Sequence, residues 1–314
     1  MLRLSLGVVA VVLAAGLAEA QQQDFSQAAI SVTKVAGAVY LIEGAGGNIA
    51  ASVGEDGVVL VDNGHAPLVP RIKGALKGIT DKPVRFIINT HWHRDHVGGN
   101  SQFPEAIVVA QNNVRARMQA GGSALSEEVR PFPADALPGL TFLNDITLHV
   151  NGEDIRAIGF PGHTDGDCIV VFPKSNVVHM GDNFVTTGFP LVDLESGGSA
   201  HVLIEVVEIL ARQLGPNAKI IPGHGRVSDV QQLRAYLDML QGTRLAVEDG
   251  IEQGKTLEQL KEASVLARWD KWSSPVVTTD QFLEALYIGL TEESAEGEVD
   301  EGGVIIRRPL SSKR

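Results

Sequence analysis

The stretch of residues 90–100 carries the side chains with the clearest chemical potential. Within six positions it holds His91, His93, Asp95 and His96. Three imidazoles and a carboxylate so close together would repel one another, or be buried at a cost, unless a cation lay between them. Neutral imidazole and carboxylate together suit zinc, and less selectively iron or manganese. The stretch therefore predicts a metal site in preference to a solvated polar loop.

Three further polar loops follow predicted strands elsewhere in the chain. They carry His163, Asp182 and His224. Loops at the strand ends of a layered α/β fold are where functional groups usually converge, so we expect the three to meet the 91–96 stretch. The seven side chains exceed the needs of one tetrahedral zinc, but they fit two metals that share a bridging carboxylate.

Strands and helices alternate on both sides of the metal stretch, which predicts an α/β layered domain. Predicted strands lie at 38–42, 48–53, 58–61, 84–89, 106–110, 147–150, 155–158, 169–172, 177–180 and 219–222. Predicted helices lie at 68–76, 112–120, 201–214, 229–248, 257–263 and 280–290. The proline-containing residues 121–139 are predicted to form a mobile surface loop. Trp269, Trp272, Phe282 and Tyr287 are interpreted as packing residues.

The first 20 residues have the pattern of an export signal. A positive Arg3 precedes an apolar run from Leu4 to Leu17, and the small residues of Ala18-Glu19-Ala20 form a cleavage site. We expect a periplasmic protein with one folded domain over 21–290 and a disordered tail over 291–314. The single cysteine, Cys168, excludes an internal disulfide and is interpreted as a buried hydrophobe, not a nucleophile.

Charge and hydropathy limit the partners. The net charge of -12 and the lack of a basic stripe disfavour nucleic acid and anionic membranes. No segment after the signal is apolar for long enough to cross a bilayer, so stable membrane insertion is not expected. A small-molecule substrate is the remaining expectation, and the sequence assigns no oligomeric state.

Four motifs in one order resemble the metallo-β-lactamase superfamily over residues 30–240. They are His-x-His-x-Asp-His at 91–96, Gly-His-Thr at 162–164, Gly-Asp at 181–182 and Gly-His-Gly at 223–225. The resemblance implies a four-layer αββα sandwich with two metals at the sheet edge. It also implies a ligand set in which His91, His93 and His163 hold the first metal, Asp95, His96 and His224 hold the second, and Asp182 bridges. Asp62 matches a family aspartate that orients the metal loop from behind.

Asp182 marks a departure within that family. The best-known antibiotic-hydrolysing subclass has a cysteine at this position, whereas thioester, lactone and sulfate-ester hydrolases of the superfamily have an aspartate. Hydrolysis of β-lactams therefore stays open. The neighbouring Asn183 is a candidate contact for the substrate, with a turn role as the alternative.

The predicted chemistry is hydrolysis by a metal-bound hydroxide, which two divalent ions, most simply Zn²⁺, generate near neutral pH. Asp95 would ligate, orient the hydroxide and pass on its proton. The substrate would be a carbonyl ester, lactone, thioester or β-lactam. Alternatives within the fold are an iron-dependent sulfur-oxidising dioxygenase, a di-iron protein, and a phosphodiesterase or nuclease. A non-catalytic metal-binding module is a further alternative.

Overall fold

Residues 25–124 and 127–296 are described by the computed structural model. The predicted signal at 1–20 and residues 297–314 of the predicted tail lie outside these described residues, so both stay predictions. Within the described residues, no helix is long and apolar enough to span a bilayer.

The described chain contains fifteen strands and seven α-helices. The strands are β1 (Ser31–Ala36), β2 (Val39–Glu43), β3 (Ile49–Gly54), β4 (Gly57–Val61), β5 (Val84–Ile88), β6 (Ile107–Gln111), β7 (Gly122–Ala124), β8 (Glu127–Val129), β9 (Leu140–Phe142), β10 (Asp145–Val150), β11 (Glu153–Gly159), β12 (Cys168–Phe172), β13 (Val177–His179), β14 (Lys219–Ile221) and β15 (Ser228–Asp229). The helices are α1 (Val69–Lys77), α2 (Arg94–Val97), α3 (Asn112–Ala120), α4 (Ala200–Gln213), α5 (Val230–Glu252), α6 (Leu257–Glu262) and α7 (Thr279–Glu296).

Two mixed sheets carry the fold. The first has the strand order β1-β2-β3-β4-β5-β6-β9, and the second has the order β10-β11-β12-β13-β14-β15. Strands β4, β5, β6 and β9 run parallel to one another, as do β13 and β14, whereas the remaining neighbours within each sheet are antiparallel. The carboxyl ends of β4 and β5 therefore lie at one edge of the first sheet, and those of β13 and β14 at one edge of the second.

Strand β4 shows how the layers are built. Its Val59 and Val61 side chains enter the core between the two sheets, while Val58 and Leu60 pack on the outer face. Every residue of β4 is buried because both faces of the sheet are covered, which explains a continuous apolar run instead of an alternating one. Helix α1 covers that outer face through Ile72 and other apolar residues.

The outer face of the second sheet is covered by α4, α5 and α7. The layers are thus helix, sheet, sheet, helix, and the predicted αββα sandwich is confirmed. Phe282 is buried in this layer, and the other three predicted packing residues of the carboxy-terminal region pack against it. Cys168 is also buried, and burial raises the pKa of its thiol well above the usual value, as expected for a hydrophobe and not a nucleophile.

Two predictions about irregular segments were wrong. Residues 121–139, predicted to form a mobile surface loop, are not loop throughout, because β7 and β8 pair as a short hairpin within them. Val129 in this segment packs beside the buried Trp92, which gives the segment its own apolar contacts. Strand β9, which begins immediately after the segment, adds to the first sheet. The predicted tail also starts too early, because α7 continues past Leu290 to Glu296. The residues Glu292-Glu293 and Ala295-Glu296 favour helix, so no stop signal precedes 296.

Candidate metal centre

The predicted metal-binding residues lie where strands of both sheets end. Asp62 follows β4, the 91–96 loop follows β5, Asp182 follows β13 and His224 follows β14. His163 comes from the connection between β11 and β12. Because parallel neighbours end at the same edge, the two sheets bring these loops together.

Seven predicted ligands form three overlapping clusters in the structure. The clusters are His91, His93 and His163; His91, His96 and Asp182; and Asp95, His96 and His224, with the facing atoms of each within 4.8 Å of one another. Asp182 lies between the others: its Oδ1 is 3.3 Å from Nε2 of His96, and its Oδ2 is 3.3 Å from Nε2 of His224 and 3.8 Å from Nε2 of His163. The residues that the sequence analysis assigned to two metals are therefore adjacent.

His93 and His163 face each other in a way that needs a cation. Nδ1 of His93 lies 2.9 Å from Nε2 of His163. The other nitrogen of His93 donates to the Asp193 carboxylate at 2.8 Å, and the other nitrogen of His163 donates to the Leu191 carbonyl at 2.8 Å. Because a neutral imidazole carries one N–H, the two facing nitrogens both present lone pairs. Two lone pairs at this distance repel unless a positive ion sits on them.

Asp62 holds the 91–96 loop from behind. Its Oδ2 accepts from Nδ1 of His96 at 2.8 Å and from the Thr90 hydroxyl at 2.7 Å, and its Oδ1 accepts from the Thr90 amide. The Thr90 oxygen in turn lies 3.0 Å from Nδ1 of His91, so it accepts from that ring. Asp62 thus orients His91 and His96 together, in the place predicted for it. Its φ of 62° is a left-handed conformation that Asp tolerates better than most residues.

The pKa values of the histidines are lowered on one side of the cluster, at His91 and His163, and raised on the other, at His96 and His224. Burial lowers the pKa of His91 well below its usual value and lowers that of His163 to about 4. On the other side, the nearby carboxylates outweigh burial, because they raise the pKa of His96 well above the usual value and that of His224 to about 10. Burial opposes ionisation of Asp95 and Asp182, but neighbouring His96 and His224 keep both pKa values below normal. The carboxylates thus draw positive charge into the cluster.

Two buried atoms of the cluster make no hydrogen bond within the described structure, although one of them, Oδ1 of Asp182, lies 3.3 Å from Nε2 of His96. Nε2 of His91 and Oδ1 of Asp182 are buried without a hydrogen bond. Buried polar atoms are nearly always satisfied, so these two point to an atom that the chain itself does not supply. Gly223 packs so closely here that a Cβ at its position would overlap Oδ1 of Asp182. The donor set of imidazole and carboxylate, the facing lone pairs and the two orphan atoms all fit divalent metal ions.

Within the described residues, Asp95 and His224 form the most exposed side of the cluster. The side chains of Asp95 and His224 are 24% and 29% exposed, whereas His91, His93, His96 and His163 are buried. We therefore expect a substrate to approach past Asp95 and His224.

Two roles were open for Asn183, and two other residues of the site had no specific signal in the sequence. Asn183 is fully buried, and its side chain accepts from the His163 amide and donates to the Phe160 carbonyl, which favours the turn role over contact with the substrate. Asp193, the partner of His93, lies 100 positions from it in the chain, and Asn48, which contacts the His224 loop, lies more than 170 positions away. The only available signal was general: a metal-binding histidine needs an acceptor on its second nitrogen.

Comparison with known proteins agrees with this geometry. The family model described as the metallo-beta-lactamase superfamily matches residues 32–224, from β1 to the last predicted ligand. The chain belongs to this superfamily. The lactamase-like protein aptB of Emericella nidulans is 26% identical over 183 residues, which cover 57% of this chain and 52% of that protein. A hydroxyacylglutathione hydrolase of Synechococcus sp. is 36% identical over 94 residues, which cover 28% of this chain and 29% of that protein.

Solved structures of the superfamily share the fold. A metallo-beta-lactamase from Pontibacter korlensis aligns with a TM-score of 0.58 at 20% identity, covering 68% of this chain and 99% of that one. The sec-alkylsulfatase Pisa1 from Pseudomonas sp. aligns with a TM-score of 0.62 at 16% identity, covering 82% of this chain and 50% of that one. The chain spans about half the length of the alkylsulfatase and of the aptB protein, so the structural likeness supports the fold alone and neither likeness supports a particular substrate. The family rests on the match to residues 32–224.

Proposed function

We propose that this superfamily member is a hydrolase that uses two divalent ions, Zn²⁺ in the simplest case, to cleave a carbonyl ester, lactone, thioester or β-lactam. The observation that carries it is the contact between Nδ1 of His93 and Nε2 of His163, 2.9 Å apart, with the second nitrogen of each ring already donating to an acceptor. Such a pair needs either a shared proton or a metal ion, and burial disfavours the proton by lowering the pKa of His163 to about 4. The superfamily hydrolases supply the class of reaction.

His91, His93 and His163 would hold the first ion, and Asp95, His96 and His224 the second, with Asp182 between them. When bound, the two ions supply Lewis acidity, which acidifies a water molecule near neutral pH and polarises the carbonyl oxygen of the substrate.

The chain's own residues divide the remaining work. The cluster of His91, His93 and His163 is almost inaccessible to solvent, so it would keep bulk water away from the first ion. Asp95 is the catalytic residue of the proposed reaction: it is partly exposed, and its Oδ2 lies 3.2 Å from Nε2 of His224. From this position it can accept a proton from the attacking water and pass it to solvent.

The carbonyl class rests on Asp182 and on the relatives. A carboxylate at this position resembles the thioester, lactone and sulfate-ester hydrolases of the superfamily, and among these the carbonyl class is favoured by a relative named as a hydroxyacylglutathione hydrolase. The net charge of -12 argues against long nucleic acids as substrates.

Elemental analysis with a substrate panel tests the proposed function. The purified full chain should contain two equivalents of zinc and hydrolyse at least one chromogenic ester, lactone, thioester or β-lactam. Asp182→Ala should lower turnover by more than about 100-fold, since even the loss of a residue that only supports a metal ligand costs about 10- to 100-fold. The control is Asp154→Ala, on β11, which removes an exposed carboxylate paired with His149.

Three outcomes would contradict the proposal. They are full turnover in Asp182→Ala, a chain that binds iron and consumes oxygen, or hydrolysis of phosphodiesters alone.

A further inference from the structure

His224 differs from the other four clustered histidines in what holds its ring. In those four, the second ring nitrogen hydrogen-bonds to Thr90, Asp193, Asp62 or Leu191. The recorded polar contacts of the His224 ring all use Nε2, the nitrogen that faces the cluster. Within the described residues, its position therefore depends on the backbone that carries it, residues 222–225.

Asn48 binds that backbone on both sides of His224. Its side-chain amide donates to the carbonyls of Pro222, at 2.9 Å, and Gly225, at 2.8 Å. Its main-chain amide donates to the carbonyl of Gly223 at 2.7 Å. Asn48 is only 5% exposed, so water competes poorly for these bonds.

Gly47, the residue before Asn48, contacts Asp95 and His96, which form a cluster with His224. The Gly47 amide donates to the carbonyl of Asp95 at 3.3 Å. A Cβ at Gly47 would overlap the ring of His96, so the backbone passes directly against that imidazole. The dipeptide Gly47-Asn48 therefore contacts the backbone of Asp95 and the ring of His96, and it binds the residues on both sides of His224.

His179 fixes the other side of Asn48. Its Nδ1 accepts from the Gly181 amide at 3.1 Å, so its Nε2 carries the proton and donates to the carbonyl of Asn48, also at 3.1 Å. His179 is fully buried, and Gly181 immediately precedes Asp182. This connection joins Asn48 to the loop of the bridging carboxylate.

The cluster of Asp95, His96 and His224 is built from both sheets. Asp95 and His96 follow β5 of the first sheet, whereas His224 follows β14 of the second. Asn48, immediately before β3 of the first sheet, bonds to residues of the second. The bonds of Asn48 therefore join the two halves of the cluster, whereas Gly181, Phe184 and Thr186 hold residues 223 and 224 from the second sheet's own side.

We propose that Asn48 is the positioning residue of the second metal position, because it clamps residues 222–225 and thereby holds His224 opposite Asp95 and His96. This inference rests on the proposed function, since it assumes that Asp95, His96 and His224 bind a metal ion. It assigns to Asn48 an effect on the second ion and none on the first.

Titration of metal-free full-length protein with Co²⁺ and Zn²⁺ tests this role. Asn48→Ala should weaken the second binding step by about 10- to 100-fold and leave the first unchanged, the size seen when support behind a metal ligand is lost. The visible spectrum of the second Co²⁺ should change in intensity, which a loss of global stability in a folded sample would not cause.

Asn183→Ala is the matched control. Asn183 is the same residue type, is also fully buried and also braces a ligand loop, but its bond is to the amide of His163. It should weaken the first step instead. If both variants lose both ions to the same degree, Asn48 has only a general structural role and the inference is overturned.

Hydrogen exchange of the wild-type protein covers the case in which the variants fail to fold. The Asn48 main-chain amide should already be protected in the metal-free protein, because the clamp exists before an ion arrives. Rapid exchange there, becoming slow only with the second ion, would overturn the inference. A wild-type protein that binds no metal would instead contradict the proposed function.

Discussion

Four of the five histidines of the candidate metal centre fall into two groups by the direction of their pKa shift. His91 and His163 have lowered pKa values, so at neutral pH their nitrogens are free to bind an ion. His96 and His224 have raised pKa values, so in the metal-free protein both carry a proton. The protons of the second group supply the positive charge that Asp95 and Asp182 require. A metal ion at that position must displace them.

Metal binding should therefore release protons unevenly. At pH 7.5, filling the Asp95–His96–His224 position should release about two protons, and its affinity should fall as the pH is lowered, because protons compete for the same nitrogens below the pKa of about 10 given by His224. Metal binding by His91, His93 and His163 should release fewer protons than this. Calorimetric titration in buffers of different ionisation enthalpy measures both numbers.

His224→Ala provides the control for this measurement, because it removes one of the protons assigned to the second step. Equal release in the two steps of the wild-type protein would contradict the division into two groups.

At the scale of elements, one loop supports two of the three histidines of the first cluster, His93 and His163. The segment 191–199 accepts from His163 through the Leu191 carbonyl and from His93 through the Asp193 carboxylate. The same carboxylate accepts from the Ser196 hydroxyl, which accepts from the indole of Trp92. The loop is held in turn by the main chain, because the Asp193 amide donates to the His163 carbonyl.

Asp193→Asn should weaken the first metal position. An amide oxygen still accepts from His93, but without the negative charge that strengthens the imidazole as a ligand, so we expect an affinity loss of about 10- to 100-fold. Competition with a chromophoric chelator measures it. Ser196→Ala is the control, since it leaves the carboxylate on His93; an equal loss in both variants would show that loop packing, not the carboxylate, matters.

Elements with local signals were predictable from the sequence, and those defined by distant partners were not. The Asn151-Gly152 pair predicted the hairpin of β10 and β11, and both residues indeed have positive φ, as a tight turn requires. Strand β9 has three residues, and its neighbour in the sheet is β6, so nothing within its own segment marks it as a strand. The ligands carried their own chemical signal, whereas Asn48 and Asp193 became visible only when folding brought them to the site.

At the scale of the whole molecule, the carboxy-terminal helices belong to the same core as the candidate site. The family match ends at residue 224, yet α5 and α7 pack on the second sheet in one apolar cluster with residues of β12 and β13. Phe189, a few residues beyond Asp182, stacks on Phe282 of α7 with ring centroids 4.7 Å apart, and its amide donates to the Trp272 carbonyl. Residues beyond the family match thus stabilise the connection that leaves the site.

Phe282→Ala should therefore destabilise the entire protein in one step. The side chain is 1% exposed, and removal of a buried Phe costs about 3–5 kcal/mol in the free energy of unfolding. Urea unfolding followed by far-ultraviolet circular dichroism and by loss of bound metal should give one coincident transition, shifted to lower urea. Val276→Ala, at a side chain that is 70% exposed, should change stability by less than about 0.5 kcal/mol. If the helices instead formed a separate unit, the variant would show two transitions, with metal retained through the first, because the two sheets would then hold the site without α7.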